Sequence, residues 1–245
     1  MRKERERSMM RLFSARFVAI AAGTMAFAGY AAAGVIWSGT SGNLAASAEF
    51  SVVGDILSVR LSNTSTHDVL VPADVLTGVF FGVSGTAPTF TRLSAVVPSG
   101  HTVLFGTTNP GGVVSGEWGY VTGKAGAPGG LHYGISSAGL GLFGPGDIFP
   151  GGTNLQGPVN LNGLEYGITS AGDNPATGNT PVTGTQALIK SAVVFTFSGA
   201  TGFDTNRVNG VIFQYGTALY EPSYPLVPRH RHPGPHQERG RLHLQ

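Results

Sequence analysis

The chain has no cysteine. That excludes a disulfide framework, a thiolate metal site and a cysteine nucleophile, and leaves core packing to hold an exported domain together. Charge is scarce as well. Asp, Glu, Lys and Arg make up 11% of the 245 residues, against about a quarter in an ordinary globular chain. No stretch shows a convincing apolar period of 3.6 residues, so helices beyond a turn or two are not expected. No H-E-x-x-H is present, no two of the body's three His stand at metal-ligand spacing, and the EF-hand loop pattern is missing. "TGKAG" fails as a phosphate loop, because Trp118 stands where its first Gly belongs and Ala125 where its Ser or Thr belongs.

The few cations are concentrated at the ends. Six of the 15 Lys and Arg lie in residues 1–16 and four in the C-terminal tail, leaving Arg60, Arg92, Lys124, Lys190 and Arg207 in the body. Ten acids share that body, which is net −5 although the whole chain is formally +2. The basic stripe that nucleic-acid binding needs is therefore absent, and no nucleic-acid partner is expected. After the basic start comes the uncharged "FVAIAAGTMAFAGYAAAG", with A-x-A patterns at Ala26–Ala28 and Ala31–Ala33. This predicts a secretory signal peptide over residues 1–33, cut by signal peptidase near Ala33 and Gly34. Its Ala and Gly content sets it apart from a Leu- and Ile-rich anchor. Beyond it no apolar run reaches the roughly 20 residues of a spanning helix, so the mature body is expected to be exported and soluble.

What is present is alternation. "AEFSVVGDILSVRLSN" reads as a hairpin around Gly54-Asp55, with Phe50 and Val52 on one face and Leu57, Val59 and Leu61 on another. Pro72 in "DVLVPADVLTGVFFGVSG" marks an edge or corner. "TRLSAVVPSGHTVLFG" gives two short strands around Pro98-Ser99-Gly100, and "GEWGYVTG" places Trp118 and Tyr120 on one face. Late strands put Val193, Phe195 and Phe197 inward, then Val211, Phe213 and Tyr215. Gly numbers 38 and Pro 15, which suits frequent turns. These features predict an all-β fold: an antiparallel, jelly-roll-like β-sandwich over residues 34–224, with a long Gly-rich loop region and few or no helices.

The loop region runs from Gly123 to Gly184 and contains an echo: "YGISSAG" (Tyr133–Gly139) returns as "YGITSAG" (Tyr166–Gly172). Two copies are too few for a solenoid. They predict two equivalent strand-to-turn corners, adjacent in space, or a pair of loops framing one site. "GISSAG" misses the G-x-S-x-G nucleophile elbow by one position. His67, His101 and His132 read as surface or turn residues, and no catalytic residue is assigned. Asp147 and Asp173 stand in Gly-rich loops with carbonyls at hand, which makes them calcium candidates, although Asx-turns are the commoner use of such residues. No other cofactor is expected. Trp118, Tyr120 and Tyr133 are candidates for a sugar-binding platform, against core packing as the commoner fate of strand aromatics. Paired acids for glycoside hydrolysis are a matter of space rather than spacing.

A resemblance adds to this reading. The stretches "SGNLAASAEF", "LSNTSTHDVLVPADVLTGVFF", "GEWGY", "GISSAGLGLFGPGDIFPGG", "NLQGP", "LEYGITSAGDNPATGNTPV", "LIKSAVVFTFSG" and "FQYGTALYEPSY" resemble, in order, the XDD class of exosortase-dependent (PEP-CTERM-linked) bacterial surface proteins. The resemblance covers roughly residues 37–224. It implies export, sorting by the membrane enzyme exosortase, and a place at the cell surface or in the extracellular matrix with exopolysaccharide. It implies no catalytic residues. Such proteins end in Pro-Glu-Pro, an apolar helix and basic residues, whereas residues 225–245 here form a basic, His-rich tail that reads as disordered. With GC-rich codons chosen for it and a shift of one nucleotide, Pro228–Pro235 can become Pro-Ala-Thr-Ala-Thr-Leu-Ala-Leu, which is how such a helix begins; the two readings of the tail are a frameshifted sorting signal and a native disordered tail. The expectation is a non-enzymatic surface protein, with a secreted carbohydrate-binding module as the alternative.

Overall fold

The structure, a computed structural model, describes residues 34–226. The expected signal peptide, its cleavage point at Ala33 and nearly all of the tail lie outside the described residues. Thirteen strands follow one another: β1 (Val35–Ser41), β2 (Leu44–Val53), β3 (Ile56–Asn63), β4 (Leu76–Val83), β5 (Thr91–Val96), β6 (Thr102–Leu104), β7 (Gly119–Thr122), β8 (Tyr133–Ser136), β9 (Ile168–Thr169), β10 (Leu188–Lys190), β11 (Ala192–Ser198), β12 (Val208–Tyr215) and β13 (Ser223–Leu226). Among the described residues the only helical elements are three-residue 3-10 turns.

The strands form two sheets, and the fold is a β-sandwich. The first sheet has the order β1-β2-β3-β11-β5; the second runs β13-β12-β4-β9-β10-β6, with β8 also on β4 and β7 on β8. All pairs are antiparallel except β9 with β10, which is parallel. The chain changes sheet at β3–β4, β4–β5, β5–β6, β10–β11 and β11–β12. Pro72 opens a 3-10 turn at the first of these crossings, as a corner residue should.

Local sequence explains the hairpin at the start. Gly54 takes a φ of 62° in the two-residue turn, a conformation that costs an L side chain energy and Gly nothing. The turn pairs Phe50 with Val59 and Val52 with Leu57. Opposed residues share a face, so the two apolar sets, expected on separate faces, lie together on the inner one.

Rings fill the space between the sheets. Phe81 contacts Phe50 at 5.0 Å and stacks on Tyr133 at 4.8 Å between centroids. Tyr120 meets Phe197 at 4.7 Å, and Trp118 meets Phe195 edge-on at 4.9 Å. Each such pair adds about 0.5–1.5 kcal/mol beyond burial, which suits a body with no covalent cross-link.

The Gly-rich middle is not a set of free loops. β4 is buried on both faces along nearly its whole length. Phe81 belongs to the core between the sheets, while Phe80 joins Ile212, Ala138, Leu140, Phe143 and Leu161 in a second apolar cluster. Residues of the middle region thus cover the outer face of the second sheet. The two echoed segments lie end to end along one edge of β4, with Ser136 opposite Gly78 and Ile168 opposite Leu76.

The first and last strands also meet. β1 and β13 are edge strands of opposite sheets, and Tyr224 Oη donates to the Gly39 carbonyl at 3.0 Å. At the other margin of the sandwich, β5 ends the first sheet and β7 is an edge of the second.

Candidate functional site

The margin between β5 and β7 is not closed by a strand. Two adjoining hollows of about 410 and 330 Å³ lie there and share Phe90, Arg92 and Tyr120. Arg92 comes from β5 and Tyr120 from β7. Lys124 and His132 flank the turn that leads from β7 to β8, and both are exposed. Arg92, Lys124 and His132 therefore gather in one cleft, although the body around them is net −5.

Two features hold the cleft in shape. Arg92 Nη2 donates to the Gly146 carbonyl, which ties β5 to the turn carrying Asp147. Tyr133 Oη donates to the Pro88 carbonyl at 2.6 Å, which fixes the 87–90 segment against β8. The His132 ring stands edge-on to Tyr133, 4.7 Å between centroids.

Tyr120 is the informative residue. It is 5% exposed and its ring is packed among Phe197, Phe149 and Tyr133. It lines both hollows, and its buried hydroxyl has no hydrogen-bond partner among the described residues. Burial raises its phenol well above the ordinary value, the Tyr133 ring adds to that, and the Arg92 charge opposes it. The group stays a neutral O–H donor. Burial also pushes Tyr133 up to about 12, against a lowering by Arg207.

The expected platform of Trp118, Tyr120 and Tyr133 is not a surface. Trp118 and Tyr133 are 0% exposed and their rings belong to the core between the sheets. Alternation on a strand that faces a second sheet sends aromatic side chains inward, and of the three only Tyr120 also lines the cleft.

The calcium candidates do not come together. Asp147 Oδ2 accepts from the Gly144 N–H at 2.8 Å and caps a 3-10 turn. Asp173 Oδ1 accepts from the Val69 N–H at 3.0 Å, far along the chain, and burial raises its carboxyl. Both carboxylates thus take up backbone donors, as turn residues do. Among the described residues no group of three or more His, Asp or Glu is placed to hold a metal ion.

The structure does bring two acids near each other. Glu117 is 2% exposed; burial raises its carboxyl, and Glu165 adds to the shift. Its Oε1 accepts from the Leu155 N–H and its Oε2 from Gln156 Nε2 at 2.5 Å. Glu165, itself raised by burial, lines a hollow of about 400 Å³ with Gln156 and Tyr166, and its Oε2 has no partner among the described residues. Glu117 does not line that hollow. Both of its oxygens hold the 155–156 segment. Of the three His among the described residues, His101 contacts Arg60 and the Lys190 carbonyl, while the Ser136 and Ser170 hydroxyls donate to the carbonyls of Thr77 and His67.

The sequence had one usable signal for the cleft. Lys124 and His132 sit at the two ends of one hairpin connection in a body with only five Lys and Arg. Arg92 is too distant in sequence to be joined to them without the fold. Comparison with known protein families, curated proteins and solved structures finds no match.

Proposed function

We propose that the chain is an exported bacterial surface or extracellular-matrix protein, non-enzymatic and of the exosortase-sorted type, that holds exopolysaccharide in the cleft between β5 and β7. The N-terminal pattern and the family resemblance support the export and sorting. The single observation that supports binding is the cleft itself: an open groove where two sheet edges face each other, lined by the Tyr120 ring and by three side chains that carry nitrogen donors. A concave site with an aromatic wall and a few convergent polar groups suits a sugar chain.

The test has two parts. Affinity electrophoresis of the secreted chain through gels containing the host's exopolysaccharide should show retardation, reduced when Lys124 is changed to Ala. Cell fractionation reads the sorting: retention at the envelope supports an anchored protein, and release to the medium supports the freely secreted carbohydrate-binding module instead. Unretarded migration in every polysaccharide gel would end the binding proposal.

A further inference from the structure

The five cations of the body are not spread evenly. Arg92 and Lys124, with His132, line one cleft against a single acid, Asp147, while the rest of the body sets nine acids against three cations. An anionic polymer is repelled by most of this surface and attracted at the β5–β7 margin. A neutral glycan would gain only hydrogen bonds there, whereas an anionic one also gains charge attraction.

We infer that the polymer taken by this cleft is a carboxylate-bearing polysaccharide, a uronate polymer, whose acid groups meet Arg92 and Lys124 while the exposed His132 ring donates a hydrogen bond. The inference rests on the glycan-binding reading and names its ligand class. The Arg92 guanidinium is already held on one side by Gly146, so little side-chain freedom is lost when its remaining N–H groups meet a planar carboxylate. The Tyr120 ring forms part of the wall of both hollows, while its hydroxyl is buried beneath that wall. Asp147 lines the smaller of the two. Its carboxylate accepts from sugar hydroxyls and spaces the polymer's acid groups toward the cationic side.

The experiment measures binding of the purified secreted chain to polygalacturonate, to neutral dextran and to dextran sulfate, by calorimetry at low and at physiological salt. The expected result is binding to polygalacturonate that weakens with salt, with no measurable binding to dextran. Lys124→Ala should weaken it roughly tenfold, the scale of one hydrogen bond to a charged group. Tyr120→Phe should leave it unchanged, because the hydroxyl is buried beneath the cleft wall. Neither change removes a packed side chain, so the thermal unfolding midpoint should not fall.

Equal binding of dextran, unaffected by Lys124→Ala, overturns the anionic assignment and leaves glycan binding standing. Dextran sulfate binding at least as tightly as polygalacturonate overturns the carboxylate assignment in favour of charge alone. Failure of all three polymers overturns the inference and the glycan reading together.

Discussion

The hydroxyl of Tyr120 gives the sharpest stability prediction. The ring packs at 4.7 Å on Phe197 and 6.4 Å from Phe149, and its Oη has no partner among the described residues. Tyr120→Phe keeps the ring and deletes only the oxygen. A buried hydroxyl that bonds to nothing costs about 1–3 kcal/mol relative to water. Its removal should therefore stabilise the unliganded protein by about 1 kcal/mol, the cautious end of that range. For a chain of this size that is about 2–4 °C in midpoint. Urea unfolding followed by near-UV dichroism would measure it, with the slope m unchanged. A destabilisation of about 1 kcal/mol or more would refute the reasoning. It would mean that the oxygen is satisfied in the folded protein.

Three further outcomes follow from the same packing. Trp118→Ala should cost about 3–5 kcal/mol, the range for emptying a large aromatic site, so any loss of glycan binding in it reports unfolding; denaturant midpoints check this. Gly116→Ala should be badly tolerated, because a Cβ there would collide with the carbonyl group of Thr153. It should displace the 153–155 segment and speed amide exchange at Leu155, which bonds to Glu117. The carboxyls of Glu117, Glu165 and Asp173 are all raised by burial. Groups raised on folding contribute stability that is fully present below their unfolded pKa values, about 4, and is lost as pH rises through the folded ones. Their joint effect is a midpoint higher near about pH 5 than near about pH 8, and Glu165→Gln should raise the midpoint at the higher pH and flatten the slope; a drop at that pH would count against the assignment.

The strands at both ends of the domain were legible because each has one inner and one outer face. Phe50 in β2, Val59 in β3, Val193 and Phe195 in β11, and Val211 and Phe213 in β12 stand on the inner-face positions of their strands, and all are buried. β4 breaks that rule. Its residues are apolar without alternation because a second layer covers its outer face. That layer is built from Ala138, Leu140, Phe143 and Leu161, which stand on turns at irregular spacing and follow no period. The middle region therefore looked like loop when it is half of a core. The aromatic candidates misled for a related reason: periodicity tells which side chains share a face, but not whether a second sheet lies over it. The cleft was illegible because Arg92 reaches it from one sheet and Lys124 and His132 from the other.

The meeting of β1 with β13 bears on the proposed surface role. The first and last strands pack together where Tyr224 reaches Gly39, whereas the cleft lies between β7 and β5, the strand at the far end of the first sheet from β1. Under that proposal, a polymer seated in the cleft would touch neither of the strands through which the described domain begins and ends.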